Sequence, residues 1–244
     1  MRKYFAFITI FIFLVSAALA EPEIHVYNTP GQYSGNYTDK NENILIILDC
    51  SYSMDEEING IRKIDIARQV VNNVLRELPP NINLGLRVYG HKKSFLGIDD
   101  CKASELLVPI TPNSQQRIYL ALRGLDAVGW TPICYSLEQA VYGDFASIPG
   151  KKRIILVSDG METCGGCPCE FAVDLMKKNV NVSIDVIGFD LASEPEAISQ
   201  LKCVALATHG KFYTAKNAYE FTESLKNSLQ VKTKVQGQIL PGKQ

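Results

Sequence analysis

The segment ILIILDCSYSMDE, residues 44–56, ends an apolar run with a carboxylate and then places two hydroxyls at alternating positions. The apolar residues predict a strand that is buried on both faces and ends at Asp49. Ser51 and Ser53 follow it. Such residues commonly turn a chain or cap a helix. Their oxygens are also the ligands with which proteins hold divalent cations, so other parts of the sequence must decide between a turn and a cation site.

Two further stretches supply matching oxygens. RIILVSDG is a second buried strand that runs into a carboxylate, and GWTP places a threonine in the loop before a predicted helix. The carboxyl ends of parallel strands lie at one edge of a sheet, so we expect the three loops to meet there. Two carboxylates with three hydroxyls suit Mg²⁺ or Mn²⁺, and an imidazole-based site has no support because no histidine is near these loops. The predicted metal ligands are Asp49, Ser51, Ser53, Thr131 and Asp159.

A sheet that can hold these loops is predicted from the alternation of apolar runs with helical patterns. Strands are predicted at 44–48, 83–90, 104–110, 153–158, 182–190 and 210–215. Helices are predicted at 63–78, 114–125, 133–145, 169–179, 194–208 and 218–229. The fold class is therefore α/β: a doubly wound, mostly parallel central sheet with helices on both faces. A polar loop joins the second strand to the third, so we expect the third to be an antiparallel edge strand.

The two ends of the chain differ from this pattern. A short positive region, an apolar run and an Ala-Leu-Ala motif predict a signal peptide cleaved after Ala20, and the run is short for an uncleaved membrane anchor. The predicted organisation is a signal peptide at 1–20, an extended arm at 21–41, one domain at 42–230 and a tail at 231–244. We expect the mature protein to be periplasmic or secreted, with no membrane span.

Composition and cysteine usage narrow the function further. The 244 residues carry a formal net charge of −1, which gives no basic surface for nucleic acid. Export would make disulfides the default state of the 7 cysteines, and the odd number leaves at least one without a partner in the chain. We interpret CGGCPC, from Cys164 to Cys169, as disulfides that hold the loop after Asp159, with a redox motif or a zinc site as alternatives. Cys50 and Cys134 are candidates for one further bridge.

The motifs together resemble the von Willebrand factor type A (VWA) domain, over about residues 42–230. The resemblance rests on DCSYS, on Thr131 in GWTP and on SDG ending at Gly160. More narrowly, they resemble the metal-ion-dependent adhesion site (MIDAS) of that family, with its D-x-S-x-S motif and distant Thr and Asp. Bacterial exported members carry a similar GWTPI…SLEQA…IILVSDG run. This chain departs from the family at Tyr52, where Gly is usual, but it keeps every coordinating oxygen.

The resemblance implies that Ser51 and Ser53 bind the ion directly and Thr131 directly or through water. Asp49 and Asp159 would act directly or through water. Neutral hydroxyls with at most one direct carboxylate leave a coordination position open, which an Asp or Glu of a protein partner can fill. The predicted function is therefore a binding module for adhesion or assembly and not an enzyme. The alternatives are an oxidoreductase that uses the Cys164–Cys169 cluster, a metal-dependent hydrolase, and a structural subunit that does not use the metal.

Overall fold

A computed structural model of the protein describes residues 42–93, 100–191 and 194–231. The predicted signal peptide (1–20), the predicted arm (21–41) and residues 232–244 of the predicted tail lie outside these ranges. Within the described ranges, no helix is both long and apolar enough to cross a membrane.

The centre of the fold is a six-stranded sheet with the order β5-β4-β1-β6-β7-β8. Its strands are β1 (Glu42–Asp49), β4 (Asn83–Tyr89), β5 (Ser104–Thr111), β6 (Lys151–Ser158), β7 (Val182–Phe189) and β8 (Phe212–Ala215), and a separate hairpin pairs β2 (Glu57–Ile58) with β3 (Ile61–Arg62). Neighbours in the sheet are parallel except β4 and β5, which are antiparallel. The predicted fold class is confirmed, including the antiparallel edge strand.

Helices cover the sheet between these strands. They are α1 (Lys63–Leu75), α2 (Gln115–Leu122), α3 (Ile133–Glu138), α4 (Pro168–Lys177), α5 (Pro195–Ala207) and α6 (Ala218–Ser228). A π-helical turn, Gln139–Asp144, continues α3, with Phe145 donating its backbone N–H to the Ala140 carbonyl at 3.0 Å. The sequence predicts one uninterrupted helix over 133–145, so the wider turn is a finding of the structure.

Strand β1 is apolar from Ile44 to Leu48 because both of its faces are covered. Alternate side chains point to opposite faces. Ile44, Ile46 and Leu48 pack in one core with residues of α1, α2 and α6. Leu45 and Ile47 pack in a second core with residues of α3, α4 and α5. This two-sided burial holds the end of β1 in one position relative to its neighbours.

A short hairpin leads from the loop after β1 into α1. Its turn is Asn59-Gly60, with φ of 53° and 82°, a dipeptide that favours a tight hairpin turn. The sequence analysis did not predict this hairpin. Because β3 ends at Arg62, the hairpin places Lys63, the first residue of α1, next to the carboxyl edge of the sheet.

Candidate metal centre

The carboxyl ends of the two central strands, β1 and β6, lie where the strand order of the sheet changes direction. β1 lies between β4 and β6, and the chain passes from β1 to β4 on one side and later builds β6, β7 and β8 on the other. Asp49 is the last residue of β1, and Asp159 directly follows β6. Open α/β sheets bind ligands in the crevice beyond such a switch point. Both predicted carboxylates therefore lie where this type of fold favours a ligand.

Backbone contacts bring the three predicted loops together. Ser51 forms a parallel β-bridge with Gly129, and the Tyr52 N–H donates to the Gly129 carbonyl at 2.9 Å. On the other side, the Thr163 N–H donates to the Thr131 carbonyl at 3.1 Å, and the Thr131 N–H donates to Thr163 Oγ1 at 2.9 Å. The loop that carries Thr131 is thus joined both to the serine loop and to the loop after Asp159.

Gly90, directly after β4, makes this close approach of the loops feasible. Its φ is 71°, in the left-handed region that favours glycine. A Cβ at this position would lie 2.7 Å from the Ser51 nitrogen and 2.7 Å from the Trp130 carbonyl oxygen. Any side chain would therefore separate the serine loop from the Thr131 loop. The sequence analysis did not single out this residue, although a glycine immediately after a strand was a usable signal.

Asp49 is fully buried, and protein groups hold both of its carboxylate oxygens. Oδ1 accepts the Ser51 N–H at 2.7 Å, while Oδ2 accepts the Tyr89 hydroxyl at 2.7 Å and the Ser158 hydroxyl at 2.7 Å. Burial raises the pKa of Asp49, although these hydrogen bonds oppose the rise. The carboxylate is oriented firmly, which suits a group that positions ligands and waters. Tyr89 and Ser158 were not predicted as site residues.

A chain of oxygens connects the serines to Asp159. Ser51 Oγ and Ser53 Oγ are 3.2 Å apart, and the Ser53 hydroxyl donates to Asp159 Oδ1 at 2.7 Å. Burial and the nearby charge of Asp49 raise the pKa of Asp159 to about 7. Four of the five predicted ligands thus form one group, because Asp49 holds the Ser51 backbone. Thr131, also buried, lies on the adjoining loop.

Lys63 is a cation beside this group that sequence reasoning missed. Its Nζ lies 2.8 Å from Glu56 Oε2, 3.1 Å from Asp159 Oδ2 and 3.5 Å from Asp190 Oδ2. Burial disfavours the charged form, but the contacts with Glu56 and Asp159 outweigh this effect and raise the pKa of the ammonium. In the sequence, Lys63 is only the polar first residue of an amphipathic helix. Its role depends on the tertiary contact between α1 and the end of β6.

Comparison with known proteins identifies relatives of this chain. YwmD of Bacillus subtilis is 32% identical over 194 residues, which are 77% of this chain and 85% of YwmD. YwmC of the same organism is 30% identical over 177 residues, which are 71% of this chain and 76% of YwmC. The chain belongs to the family of YwmD and YwmC. Both relatives are described as uncharacterized proteins, and no family model matches the chain.

Comparison with solved structures identifies the fold of this relative of YwmD and YwmC. The pilus adhesin SpaC of Lactobacillus rhamnosus GG superposes with a TM-score of 0.62 at 17% identity, over 82% of this chain and 31% of SpaC. A von Willebrand factor type A structure from Catenulispora acidiphila gives 0.59 at 20%, over 77% and 42%. Mussel byssus PTMP1, described with a zinc-occupied MIDAS motif, gives 0.59 at 16%, over 78% and 45%. The fold is that of a VWA domain, as predicted.

The donor types of this family member fit a hard dication better than a soft one. The assembled groups are hydroxyl and carboxylate oxygens, which Mg²⁺ and Mn²⁺ prefer. Within residues 42–93, 100–191 and 194–231, no three side chains of His, Cys, Asp or Glu cluster as a metal site. A site built on Ser51, Ser53, Thr131, Asp49 and Asp159 does not need such a cluster, because three of its donors are neutral hydroxyls.

Disulfides hold the cysteine cluster Cys164–Cys169, as predicted. Cys164 is bonded to Cys101, and Cys169 is bonded to Cys203. The loop before α4 is therefore anchored at Cys164, and the first turn of α4 at Cys169, to distant segments. Cys164 is unavailable for a dithiol with Cys167, so the arrangement does not support a C-x-x-C redox motif or a zinc site in this loop.

The predicted bridge between Cys50 and Cys134 is wrong. Both cysteines are free: Cys50 is buried and Cys134 is half-buried. Cys50 packs in the core with α1 and α2, whereas the neighbours of Cys134 on α3, Ile133 and Leu137, pack in the core on the opposite face. The two thiols therefore lie on opposite faces of the sheet. The sequence shows only that each cysteine is close to a metal-site loop, and not which face it occupies.

Proposed function

We propose that the protein is an exported binding module that holds Mg²⁺ or Mn²⁺ at the carboxyl edge of its sheet. Through that ion it captures an Asp or Glu side chain of a protein partner. The observation that carries the proposal is the chain of oxygens from Ser51 through Ser53 to Asp159, with contacts of 3.2 and 2.7 Å. Two proteins that share the fold are PTMP1, described with a zinc-occupied MIDAS motif, and SpaC, described as a pilus adhesin. Both descriptions support a divalent cation and a protein-binding role.

Each donor has a distinct role in this proposal. Ser51 and Ser53 bind the ion directly, and Thr131 binds it directly or through a water molecule. Asp159 faces the same space and acts directly or through water. Asp49 organises the site, because its two oxygens already accept hydrogen bonds from the Ser51 backbone and from two hydroxyls.

The charge of the site favours capture of a carboxylate. Neutral hydroxyls contribute no negative charge, and Lys63 already offsets part of the charge of Asp159 at 3.1 Å. A dication would therefore keep residual positive charge and an open coordination position. An acidic side chain of a partner supplies both the charge and the missing oxygen ligand.

Exposed apolar side chains surround this position, one on each loop. The exposed fractions are 72% for Tyr52, 51% for Trp130 and 37% for Met161. Large exposed apolar groups gathered in one region are typical of protein contact surfaces, and Trp and Tyr contribute strongly to binding energy. They support a protein partner rather than a small ion alone.

The same residues favour binding over catalysis. A metal-dependent hydrolase needs a general base or a nucleophile beside its ion. In this proposal Ser53 and Asp159 serve the ion itself, and Lys63 is engaged by three carboxylates, so none of the three acts as a nucleophile or a general base. We therefore propose that the protein is not an enzyme.

Lys63 also supports a second candidate function, a structural subunit that does not use a metal. Its ammonium already acts as a cation for Asp159, together with Glu56 and Asp190. In that case the site would be a closed ion-pair network, and removing Lys63 would destabilise the protein instead of altering ion binding.

Calorimetric titration of chelator-treated protein with Mg²⁺ and Mn²⁺ tests the metal. We expect one site with a dissociation constant on the order of 0.1–1 mM, as in extracellular modules with few charged ligands. Asp159→Ala should abolish the binding heat without unfolding the protein. The matched control is Asp126→Asn, an exposed acid in the loop before Gly129, which should retain the wild-type affinity. Absence of binding in folded wild-type protein, or unchanged binding in Asp159→Ala, would contradict the proposal.

Export is a separate part of the proposal and has its own test. The two disulfides support it, since such bonds persist in oxidising compartments. Mass spectrometry of the protein recovered outside the cytoplasm should find Glu21 at its N-terminus. Recovery of the chain with residues 1–20 attached would contradict cleavage at this site.

A further inference from the structure

Two free thiols lie at the starts of neighbouring helices. Cys134 is the second residue of α3, and Cys167 directly precedes α4. Cys134 is half-buried, Cys167 is exposed, and neither is bonded. They belong to two of the loops described above, because Cys134 follows Thr131 and Cys167 follows Asp159 in the chain.

The backbone beside Cys167 packs directly on the side chain of Cys134. A Cβ placed on Gly166 would lie 2.4 Å from Cys134 Cβ and 3.3 Å from its Sγ. Only a glycine permits this approach, and Cys167 is one residue further, about 3.8 Å along the chain. The Cys167 backbone N–H donates a hydrogen bond to the Cys134 sulfur, so rotation of the exposed Cys167 side chain can bring its own sulfur to Cys134.

Other contacts fix the two segments in this arrangement. The buried carboxylate of Glu162 accepts the Cys134 N–H at 2.7 Å and the Cys164 N–H at 2.7 Å. Burial and the Glu138 carboxylate raise the pKa of the Cys134 thiol to about 11, while a hydrogen bond from the Cys167 backbone opposes the rise. Cys134 also lines a cavity of about 230 Å³, which gives small reagents access.

We propose that Cys134 and Cys167 form a third disulfide, closed by exchange with a low-molecular-weight disulfide. The bond ties the start of α3, and with it the Thr131 loop, to the segment that follows Asp159. It leaves Cys50, buried in the core on the other face, as the single unpaired cysteine. The proposal does not depend on metal binding.

The exchange balances with oxidised glutathione as the co-reactant. The exposed Cys167 thiolate attacks one glutathione sulfur, the glutathione disulfide breaks, and one glutathione leaves as a thiolate that takes up a proton. Cys134 then loses its proton, and its sulfur attacks the Cys167 sulfur and expels the second glutathione thiolate, which takes up that proton. The protein loses two protons and two electrons, and glutathione disulfide gains them.

Non-reducing peptide mapping of the purified protein, before and after treatment with oxidised glutathione, tests the proposal. In each sample, the thiols that remain after this treatment are blocked with N-ethylmaleimide in denaturant before digestion. We expect a Cys134–Cys167 cross-linked peptide, one alkylated cysteine (Cys50) and a Tm higher by about 5–10 °C than with the thiols reduced. Independent glutathione adducts on Cys134 and Cys167, or a bond from Cys134 to Cys101 or Cys164, would overturn it.

Variants separate geometry from simple reactivity. Cys134→Ser should leave one stable glutathione adduct on Cys167, because the resolving thiol is absent. Cys50→Ser should leave the closure unchanged. Gly166→Ala retains both thiols but pushes Cys134 away, so closure should slow, whereas Gly143→Ala, with open space around the new methyl group, should close at the wild-type rate. Equal rates in the two glycine variants would count against the packing on which the proposal rests.

Discussion

Two groups of buried charges in this protein are balanced in different ways. Arg87 of β4 and Asp144 of the π-helical turn form a two-point pair, with Nε–Oδ2 at 2.6 Å and Nη2–Oδ1 at 2.8 Å. At the carboxyl edge, Asp49 lies near Asp159, and the one ammonium of Lys63 contacts Asp159 at 3.1 Å together with two other carboxylates. The first pair is matched charge for charge, whereas the second group is not.

The difference separates an interaction that stabilises the fold from a group prepared for a ligand. The planar guanidinium satisfies both oxygens of Asp144, so that pair has no capacity for another cation. At the edge, Asp49 is oriented by neutral hydrogen-bond donors, and burial raises its pKa. A bound dication would offset the free-energy cost of burying this negative charge. The comparison therefore predicts opposite responses when each group is altered.

The largest effect is expected from Asp144→Asn. It leaves Arg87 buried without its carboxylate, which should lower the free energy of unfolding by about 3–5 kcal/mol. Chemical denaturation measures this loss, and Mg²⁺ affinity of the folded variant should be unchanged. The double variant Arg87→Met, Asp144→Leu should regain much of the stability, since it leaves no unpaired charge. A fall in Mg²⁺ affinity in the folded single variant would remove the distinction between the two groups.

Ser53→Ala should act in the opposite manner. It removes a direct ligand that also touches Ser51 and Asp159, so Mg²⁺ affinity should fall by at least the roughly 10–100-fold known for the loss of a group that only supports a ligand. Unfolding of the metal-free protein should hardly change. The matched control is Ser104→Ala, which removes the hydroxyl bonded to Arg87 at 2.9 Å and should retain the wild-type affinity. Titration calorimetry distinguishes the two, and equal affinities would argue that Ser53 is only a turn residue.

Lys63→Met should raise Mg²⁺ affinity about tenfold at low ionic strength. The substitution removes a positive charge 3.1 Å from Asp159, so less Coulomb repulsion opposes the dication. Added salt should reduce the difference between variant and wild type. If the site is instead a metal-free ion-pair network, the variant will lose several kcal/mol of stability and gain no affinity.

The smallest effect on the ion is expected from Tyr52→Gly, which restores the residue usual in VWA domains. Tyr52 is exposed, and its backbone rather than its side chain joins the loops, through the N–H that donates to Gly129. Mg²⁺ affinity should therefore change less than about twofold. The matched control is Tyr142→Ala, which removes another exposed tyrosine, in the π-helical turn after α3, and should retain the wild-type Mg²⁺ affinity. A large loss in Tyr52→Gly would mean that the ring itself shapes the site.

The sequence was sufficient to predict the fold because β1 and β6 are apolar on both faces. A parallel sheet covered on both faces accounts for such runs between amphipathic helices, and the carboxylates at their ends then lie at one edge. Asp49, Ser51, Ser53 and Asp159 could therefore be grouped at one site from the sequence alone. Whether they bind an ion stays a prediction.

What the sequence could not predict depends on contacts between distant side chains. Lys63 resembles a solvated helix residue until α1 is placed against the end of β6. Gly90 gains its importance only when two loops pass within 3 Å of the place that a Cβ would occupy. The erroneous pairing of Cys50 with Cys134 arose because sequence position does not determine which face of the sheet a thiol occupies.

The wide separation of the site residues along the chain has a consequence for folding kinetics. The hydrogen bond from Ser53 to Asp159 spans 106 positions, and that from Ser158 to Asp49 spans 109. These groups can meet only after β1 and β6 have paired, so we expect the site to be completed late in folding, after the transition state. A bound ion would then slow unfolding while leaving the folding rate nearly unchanged. It would thus prolong the lifetime of the native state without guiding the chain towards it.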